Sequence, residues 1–293
     1  MDNARATGSA PLAKLRLILD SIRFEHTIFA LPFAYLGMVR AAEGLPTLSQ
    51  LLWITVAMAS ARTLAMSANR IIDRHQDALN PRTASRPLPA GRLKLREMSA
   101  LAAFSLVALL VAAAMLNPLA LALAPVAAAM VVGYSYTKRF TWTSHFALGW
   151  ADGIAPAGAW IGVTGSLAWE PVLMAFIVAT WIGGFDILYA CQDYRFDVEH
   201  GLHSIPQRFG IPAALMWARA MHLLTSASLL ALGIWLGLGF PHYIGWALAS
   251  ALLVYEHRLV SPTDLSRLNM AFFNVNGYIA LIVFGFTFAS IYV

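Results

Sequence analysis

The sequence predicts an all-α integral membrane protein of nine transmembrane helices, in a single transmembrane domain over residues 1–293. Three observations predict it. Apolar residues make up 59% of the chain and charged residues only 12%, where an ordinary soluble domain carries about 25% charged residues. Some nine continuous apolar stretches approach the length needed to cross the hydrocarbon core, roughly 20 residues. Lys and Arg collect on alternate loops. A soluble globule of this size could not cover its surface with so few charges, which excludes a cytosolic enzyme, a disordered chain and a DNA-binding module. The single cysteine, Cys191, excludes a disulfide framework or a thiolate metal site.

The apolar stretches run near residues 28–42, 48–69, 98–116, 119–136, 146–163, 172–190, 212–236, 242–256 and 270–292. They are continuous and rich in Ala and Leu, with no alternation of period two, so they read as helices rather than barrel strands. The first and eighth are short and suit a tilted or partly interfacial placement. Residues 1–11 are polar and rich in small residues, and no small-residue cleavage site follows the first stretch, so no cleavable signal is expected.

The basic residues fix the orientation. Arg5, Lys14, Arg16 and Arg23 precede the first span. Arg70, Arg74, Arg82, Arg86, Arg92, Lys94 and Arg96 follow the second, Lys138 and Arg139 the fourth, Arg195 and Arg208 the sixth, and Arg258 and Arg267 the eighth. With nine spans, 17 of the 20 basic residues lie on one side, and the opposite loops hold only Arg40. Arg62 and Arg219 fall within spans. The positive-inside rule places the basic side in the cytoplasm. The net charge of +5 then reports orientation, and no nucleic-acid or protein partner is implied.

Carboxylates gather on the same side. Asn69, Asp73 and Asp77 follow the spacing i, i+4, i+8, which puts them on one helix face. Asp193 and Asp197 repeat the spacing at the end of the sixth span, with Asp186 two turns earlier. Carboxylates one turn apart repel, and desolvating them is costly. Stacking them twice at membrane depth calls for a cation, and oxygen ligands suit Mg²⁺, which bridges carboxylates to substrate phosphates. Arg82, Arg86, Lys138, Arg139 and Arg195 supply phosphate partners. The alternative is a pair of solvated helix ends. A loose internal echo accompanies the clusters, since each closes an even-numbered span before a loop with Pro and Arg, as in a duplicated four-helix unit.

A diphosphate at the mouth of an apolar bundle implies a prenyl diphosphate. Loss of diphosphate leaves an allylic cation that water would quench, so the cavity has to be dry. Tyr134, Tyr136, Tyr189 and Tyr194 lie near the basic ends and suit cation stabilisation or an interfacial belt. A phenol-type acceptor would attack through a ring carbon. Arg62, well inside the second span, suits a carboxylated acceptor or a salt bridge to Asp152 or Glu256. Arg23 suits the acceptor carboxylate or the headgroups, and Glu25 and His26 the acceptor or the interface. A transporter would instead place its charges near the midplane.

The motifs Asn69-x-x-x-Asp73-x-x-x-Asp77, Asn80-Pro81-Arg82-Thr83 with Arg86-Pro87-Leu88-Pro89, Tyr134-Ser135-Tyr136-Thr137-Lys138-Arg139 and Tyr189-x-x-x-Asp193-x-x-x-Asp197 carry a resemblance. Through them the chain resembles the UbiA superfamily of membrane prenyltransferases over nearly its whole length. The resemblance implies nine helices around a cavity, with both Asp motifs binding Mg²⁺ and a polyprenyl diphosphate. It implies that Arg86 and Lys138 assist the diphosphate, and that a polyprenyl chain passes to 4-hydroxybenzoate or a related aromatic acid in ubiquinone or menaquinone biosynthesis. The haem O and chlorophyll synthase branches share this site with larger acceptors. One segment departs from the ubiquinone pattern: residues 22–33 carry Phe24-Glu25-His26-Thr27 where Arg-x-Asp-Lys-Pro is usual. That form is similar to a bacterial branch linked to the futalosine route, which implies 1,4-dihydroxy-6-naphthoate as an alternative acceptor.

Overall fold

A computed structural model describes residues 10–23, 27–270 and 274–291. Helices follow one another and no strand forms among the described residues: α1 (Ala10–Ser21), α2 (Thr27–Ala41), α3 (Leu48–Leu79), α4 (Leu95–Leu116), α5 (Pro118–Thr137), α6 (Ser144–Thr164), α7 (Trp169–Ala190), α8 (Tyr194–His200), α9 (Ile205–Trp235), α10 (Phe240–Arg258), α11 (Leu268–Met270) and α12 (Asn276–Ala289). The first eight expected apolar stretches each lie largely on a helix, and the described part of the ninth, 270–292, carries α12. Five helical runs are long and apolar enough to cross a bilayer, namely Leu48–Leu79, Leu95–Leu116, Pro118–Thr137, Trp169–His200 and Ile205–Trp235.

Local signals start and stop these helices. Thr47 accepts the N–H of Gln50 while the Gln50 side chain accepts the N–H of Thr47, a capping box at the start of α3. Asn117 ends α4, caps α5 by accepting the Ala120 N–H, and donates to the Ile161 and Gly162 carbonyls at the end of α6. One side chain thus joins three helix ends. Arg40 on α2 and Glu170 on α7 pair at 3.1 Å at this same end of the bundle.

The other end carries the basic loops. Asn80, just past α3, donates to Asp193, and the Lys138 carbonyl accepts the His203 N–H at 2.7 Å. The ends of α3, α5 and α7 therefore converge on one rim. α3 runs for 32 residues, about 48 Å at 1.5 Å per residue. It outlasts a hydrocarbon core of about 30 Å, so Asp73 and Asp77 stay on unbroken helix past the expected end of the span at Asn69.

Three features depart from expectation. α1 lies before the first expected span, with Leu17 and Ile18 against Leu88, Leu93 and Met98, and its C-terminal Ser21 carbonyl is held by the buried Arg70 Nε at 2.9 Å. Asp193 and Asp197 do not share one continuous helix, because a 3₁₀ turn, Cys191–Asp193, separates α7 from α8. α9 begins seven residues before its expected start and kinks at Gly210 (φ 80, ψ 162). A φ of that sign suits glycine, and Pro212 restarts the helix without needing an N–H partner.

The core centres on α7, whose buried face includes Met174, Ile177, Val178, Trp181 and Ile182. α6 packs closely beside it: a Cβ built on Gly149 would lie 2.3 Å from the Ala179 carbonyl oxygen, and one on Gly153 2.6 Å from that of Ala175. Small residues at this seam let the backbones touch, which is how helices gain contact where no hydrophobic effect drives them together.

Candidate active site

A cavity of about 360 Å³ opens at the basic rim between α2, α3, α5, α6 and α7. α3 contributes Arg62, Asn69, Arg70, Asp73 and Asp77, and the turn-rich stretch after it Asn80, Arg82 and Arg86. α7 contributes Trp181, Phe185, Asp186 and Tyr189, and the 3₁₀ turn and α8 add Asp193 and Asp197. The spacing i, i+4, i+8 on α3 does place Asn69, Asp73 and Asp77 on one face, and Asn69 Nδ2 donates to Asp73 Oδ2 at 3.0 Å.

Each motif carboxylate is held. Lys138 Nζ lies 2.6 Å from Asp73 Oδ2 and Arg139 Nη2 2.9 Å from Oδ1, while Asp73 itself is 2% exposed. Arg86 Nη1 reaches both oxygens of Asp77 at 2.8 Å. Arg82 grips Asp193 through Nε at 2.9 Å and Nη2 at 2.5 Å, and donates from Nη1 to the Tyr189 hydroxyl. Burial works against the Arg82 charge, but the hydrogen bond and the charge of Asp193 hold the guanidinium above its ordinary value. Asp197 accepts from Ser204 Oγ at 2.8 Å. The loop after the first motif thus clamps the second motif, which is how two clusters over a hundred residues apart form one rim.

The donor set fits a hard cation. It consists of carboxylate and amide oxygens, and among the described residues no three Asp, Glu, His or Cys side chains converge as a ready-made cage. Mg²⁺ is commonly bound through one or two carboxylates plus substrate phosphates rather than by an all-protein cage. The neighbouring Arg and Lys side chains that now bind carboxylate oxygens can donate equally to phosphate oxygens, the Arg groups as forks and Lys138 as a point charge.

A sequence profile of the UbiA prenyltransferase family matches residues 30–285. The chain belongs to the UbiA prenyltransferase family. Within it, the chain is 34% identical over 246 residues to a 4-hydroxybenzoate octaprenyltransferase of Aeromonas salmonicida, covering 83% of this chain and 84% of that one. It is 29% identical over 251 residues to the enzyme of the same name from Vibrio cholerae, covering 84% and 86%. Among solved structures, the apo UbiA homolog of Aeropyrum pernix superposes with a TM-score of 0.83 at 34% identity, over 89% of this chain and 96% of that one. A UbiA homolog of Archaeoglobus fulgidus bound to GPP and Mg²⁺ superposes with a TM-score of 0.71 at 20% identity, over 94% and 100%, and shares the fold. The protein is a multi-pass membrane prenyltransferase.

Within this UbiA cavity, Asn69, Asp73, Asp77, Asp193, Asp197, Arg82, Arg86, Lys138, Tyr134, Tyr189, Arg62 and Arg23 all line the wall. Four expected residues do not. Arg139 sits behind Asp73 and bonds Asp73, Gln76 and the Ile72 carbonyl. Arg195 is exposed, because it falls midway between Asp193 and Asp197 and so faces away from both. Tyr136 follows Tyr134 by two residues, about 200° around the helix, and is 48% exposed beneath the Arg139 guanidinium. Tyr194, the first residue of α8, is turned off the wall by the 3₁₀ turn before it.

Arg62 forms no ion pair with Asp152 or Glu256. Glu256 is fully buried, accepts from Asn276 Nδ2 at 3.1 Å and lies 3.7 Å from His222. Asp152 shares the cavity with Arg62, whose Nε is buried without a partner. Glu25 and His26 lie outside the described residues.

Sequence reasoning missed an aromatic wall. Phe33 and Trp181 meet at a 43° tilt with ring centroids 5.0 Å apart, and Trp181 meets Phe185 edge-on at 5.4 Å. It also missed His145 and Arg70, both cavity-lining and buried. Polar residues at the basic-rim ends of apolar stretches were the available signal. The aromatic residues had none, because an apolar residue reads the same on a cavity wall and in a core.

Proposed function

We propose that the chain transfers a polyprenyl group from a polyprenyl diphosphate to a ring carbon of an aromatic acid of the 4-hydroxybenzoate type, in quinone biosynthesis and with Mg²⁺ as cofactor. The observation that carries this reading is the meeting of both Asp clusters with Arg82, Arg86 and Lys138 at the mouth of one cavity whose inner wall is aromatic. The names of the relatives support the acceptor class. Nine membrane crossings are part of the proposal, with the basic rim in the cytoplasm of a bacterial inner membrane.

Asp73, Asp77, Asp193 and Asp197 would hold Mg²⁺, with Asn69 orienting Asp73. When bound, the metal supplies charge neutralisation on the departing diphosphate. Lys138, Arg86 and Arg82 then have a second set of partners, since an incoming diphosphate offers oxygens of the same geometry as the carboxylates they now bridge. Arg139 keeps Asp73 in place from behind. Tyr134, Tyr189, Phe33, Trp181 and Phe185 present π faces that steady an allylic cation without attacking it and keep water out. Arg62, its Nε unpaired inside the cavity, receives the acceptor carboxylate, and Arg23 lines the same wall.

A second reading rests on the departure at residues 22–33, which favours 1,4-dihydroxy-6-naphthoate as acceptor. Membranes holding the protein, supplied with Mg²⁺, a polyprenyl diphosphate and both acids in competition, separate the two by product mass. Asp73→Asn is expected to cut the rate by on the order of 10²–10³-fold, the loss typical of one transition-state stabiliser, while the protein still inserts. Full activity of that variant, or full activity in EDTA, would refute the metal–diphosphate reading.

A further inference from the structure

The cavity holds one carboxylate–imidazole pair to which the roles above give no part. Asp186 sits on α7 two turns before Asp193, about 10 Å deeper along the axis, and lines the cavity. His145 stands in the first turn of α6, also on the wall. His145 Nδ1 lies 2.7 Å from Asp186 Oδ2, and His145 Nε2 accepts the backbone N–H of Ile205 at 3.2 Å. A ring nitrogen that accepts an N–H bears no proton, so the imidazole is neutral and donates its Nδ1 proton to Asp186.

This pair differs from every other carboxylate of the cavity. Asp73, Asp77 and Asp193 are each bridged by a permanently charged Lys or Arg. Asp197 is bonded to Ser204, and Asp152 lies in the field of Arg62. Asp186, like Asp197, is held at one oxygen by a neutral donor, but it lies two turns inside the rim that Asp197 shares with the other motif carboxylates. Its side chain is 26% exposed, and Oδ1 makes no hydrogen bond within the described residues. His145, at 4% exposure, is pinned between α7 and the start of α9 and cannot swing away.

We infer that Asp186 takes the proton that the aromatic ring loses on prenylation, and that His145 is its positioning residue; the inference rests on the prenyl-transfer reading above. The C1–O bond of the prenyl diphosphate breaks and its electron pair leaves with the diphosphate. A ring π pair of the acceptor forms the new bond to C1. The electron pair of the ring C–H bond then returns to the ring, restoring aromaticity, and the proton passes to Asp186 Oδ1. The neutral carboxylic acid returns that proton to the released diphosphate or to water at the rim.

Asp186→Asn keeps the shape and the His145 hydrogen bond but removes the base. Its kcat is expected to fall by about 10²–10⁴-fold, the usual share of general-base catalysis. Mg²⁺-dependent binding of geranyl S-thiolodiphosphate, followed by calorimetry, stays at the parental level. An acceptor deuterated at the ring positions beside the hydroxyl reacts more slowly than the protonated one in the variant. His145→Leu lowers kcat with KM unchanged, and His145→Asn, whose amide can occupy the Nδ1 position, restores most of it. A parental rate in Asp186→Asn, loss of thiolodiphosphate binding, or a slow variant without an isotope effect would each overturn the assignment. Failure of the parent protein to prenylate any aromatic acid would instead overturn the prenyl-transfer reading, and this assignment with it.

Discussion

An arginine inside an apolar helix must find a counter-charge or offer itself to a ligand. In the proposed function Arg62 takes the second course: it lines the cavity, forms no ion pair with Asp152 or Glu256 among the described residues, and keeps Nε unpaired. Arg62→Leu is therefore expected to raise KM for the aromatic acid by about 10–100-fold, the worth of a hydrogen bond to a charged group, with KM for the prenyl diphosphate unchanged. Steady-state kinetics with each substrate varied in turn checks this. Asp73 and Asp77 were legible because their spacing alone puts them on one face of α3. The partners of Arg62 were not, since Glu256 and Asp152 sit at similar depth and only the packing shows which of them faces the cavity. Arg139 and Arg195 were read as phosphate partners from their position in basic loops, and a loop position does not say which way a long side chain turns.

At the scale of the element, the seam between α6 and α7 sets the width of the cavity. Gly149 and Gly153 meet carbonyl oxygens of α7, whereas Gly158 on the same helix has open space around it. Gly149→Val should destabilise the protein by about 1–3 kcal/mol through overpacking, lowering its melting temperature in detergent, while Gly158→Val leaves it unchanged. Equal shifts for the two variants would show that the seam is not tight. The existence of the apolar helices was legible, because continuous apolar runs persist whatever they pack against, whereas that of α1 and α8 was not. Helix ends were less so. α3 continues ten residues past its apolar run, carried by polar residues that meet α1 and the rim loops, and the break at Cys191–Asp193 leaves no mark in residue type.

For the whole molecule, the two rims make an orientation prediction that the chain itself makes easy to test. Its single cysteine, Cys191, is buried, so cysteines added elsewhere can be labelled against a silent background. Ser166→Cys, exposed at the end bearing Arg40, should react with a membrane-impermeant maleimide in intact cells, and Ser85→Cys, exposed at the basic rim, only after permeabilisation. The reverse pattern would place the candidate site outside the cytoplasm. The loose echo between the two Asp-bearing halves has a counterpart in contact: α3 packs on α4 and α7 on α9, one helix pair after each cluster.

The sequence by itself determined the membrane environment, the helices, the orientation signal and both Asp motifs. These are properties of composition and of spacing along one element, and neighbours cannot change them. Only the tertiary structure decided that Arg82 closes on Asp193, that Arg139 braces Asp73 from behind, that Phe33, Trp181 and Phe185 face the cavity, and that His145 meets Asp186. Each of these joins residues from different helices. In an apolar chain the pattern within a helix separates lipid from protein only weakly, so the partner of each side chain is fixed by how the helices approach one another, a distance that glycines such as Gly149 set and that no single segment contains.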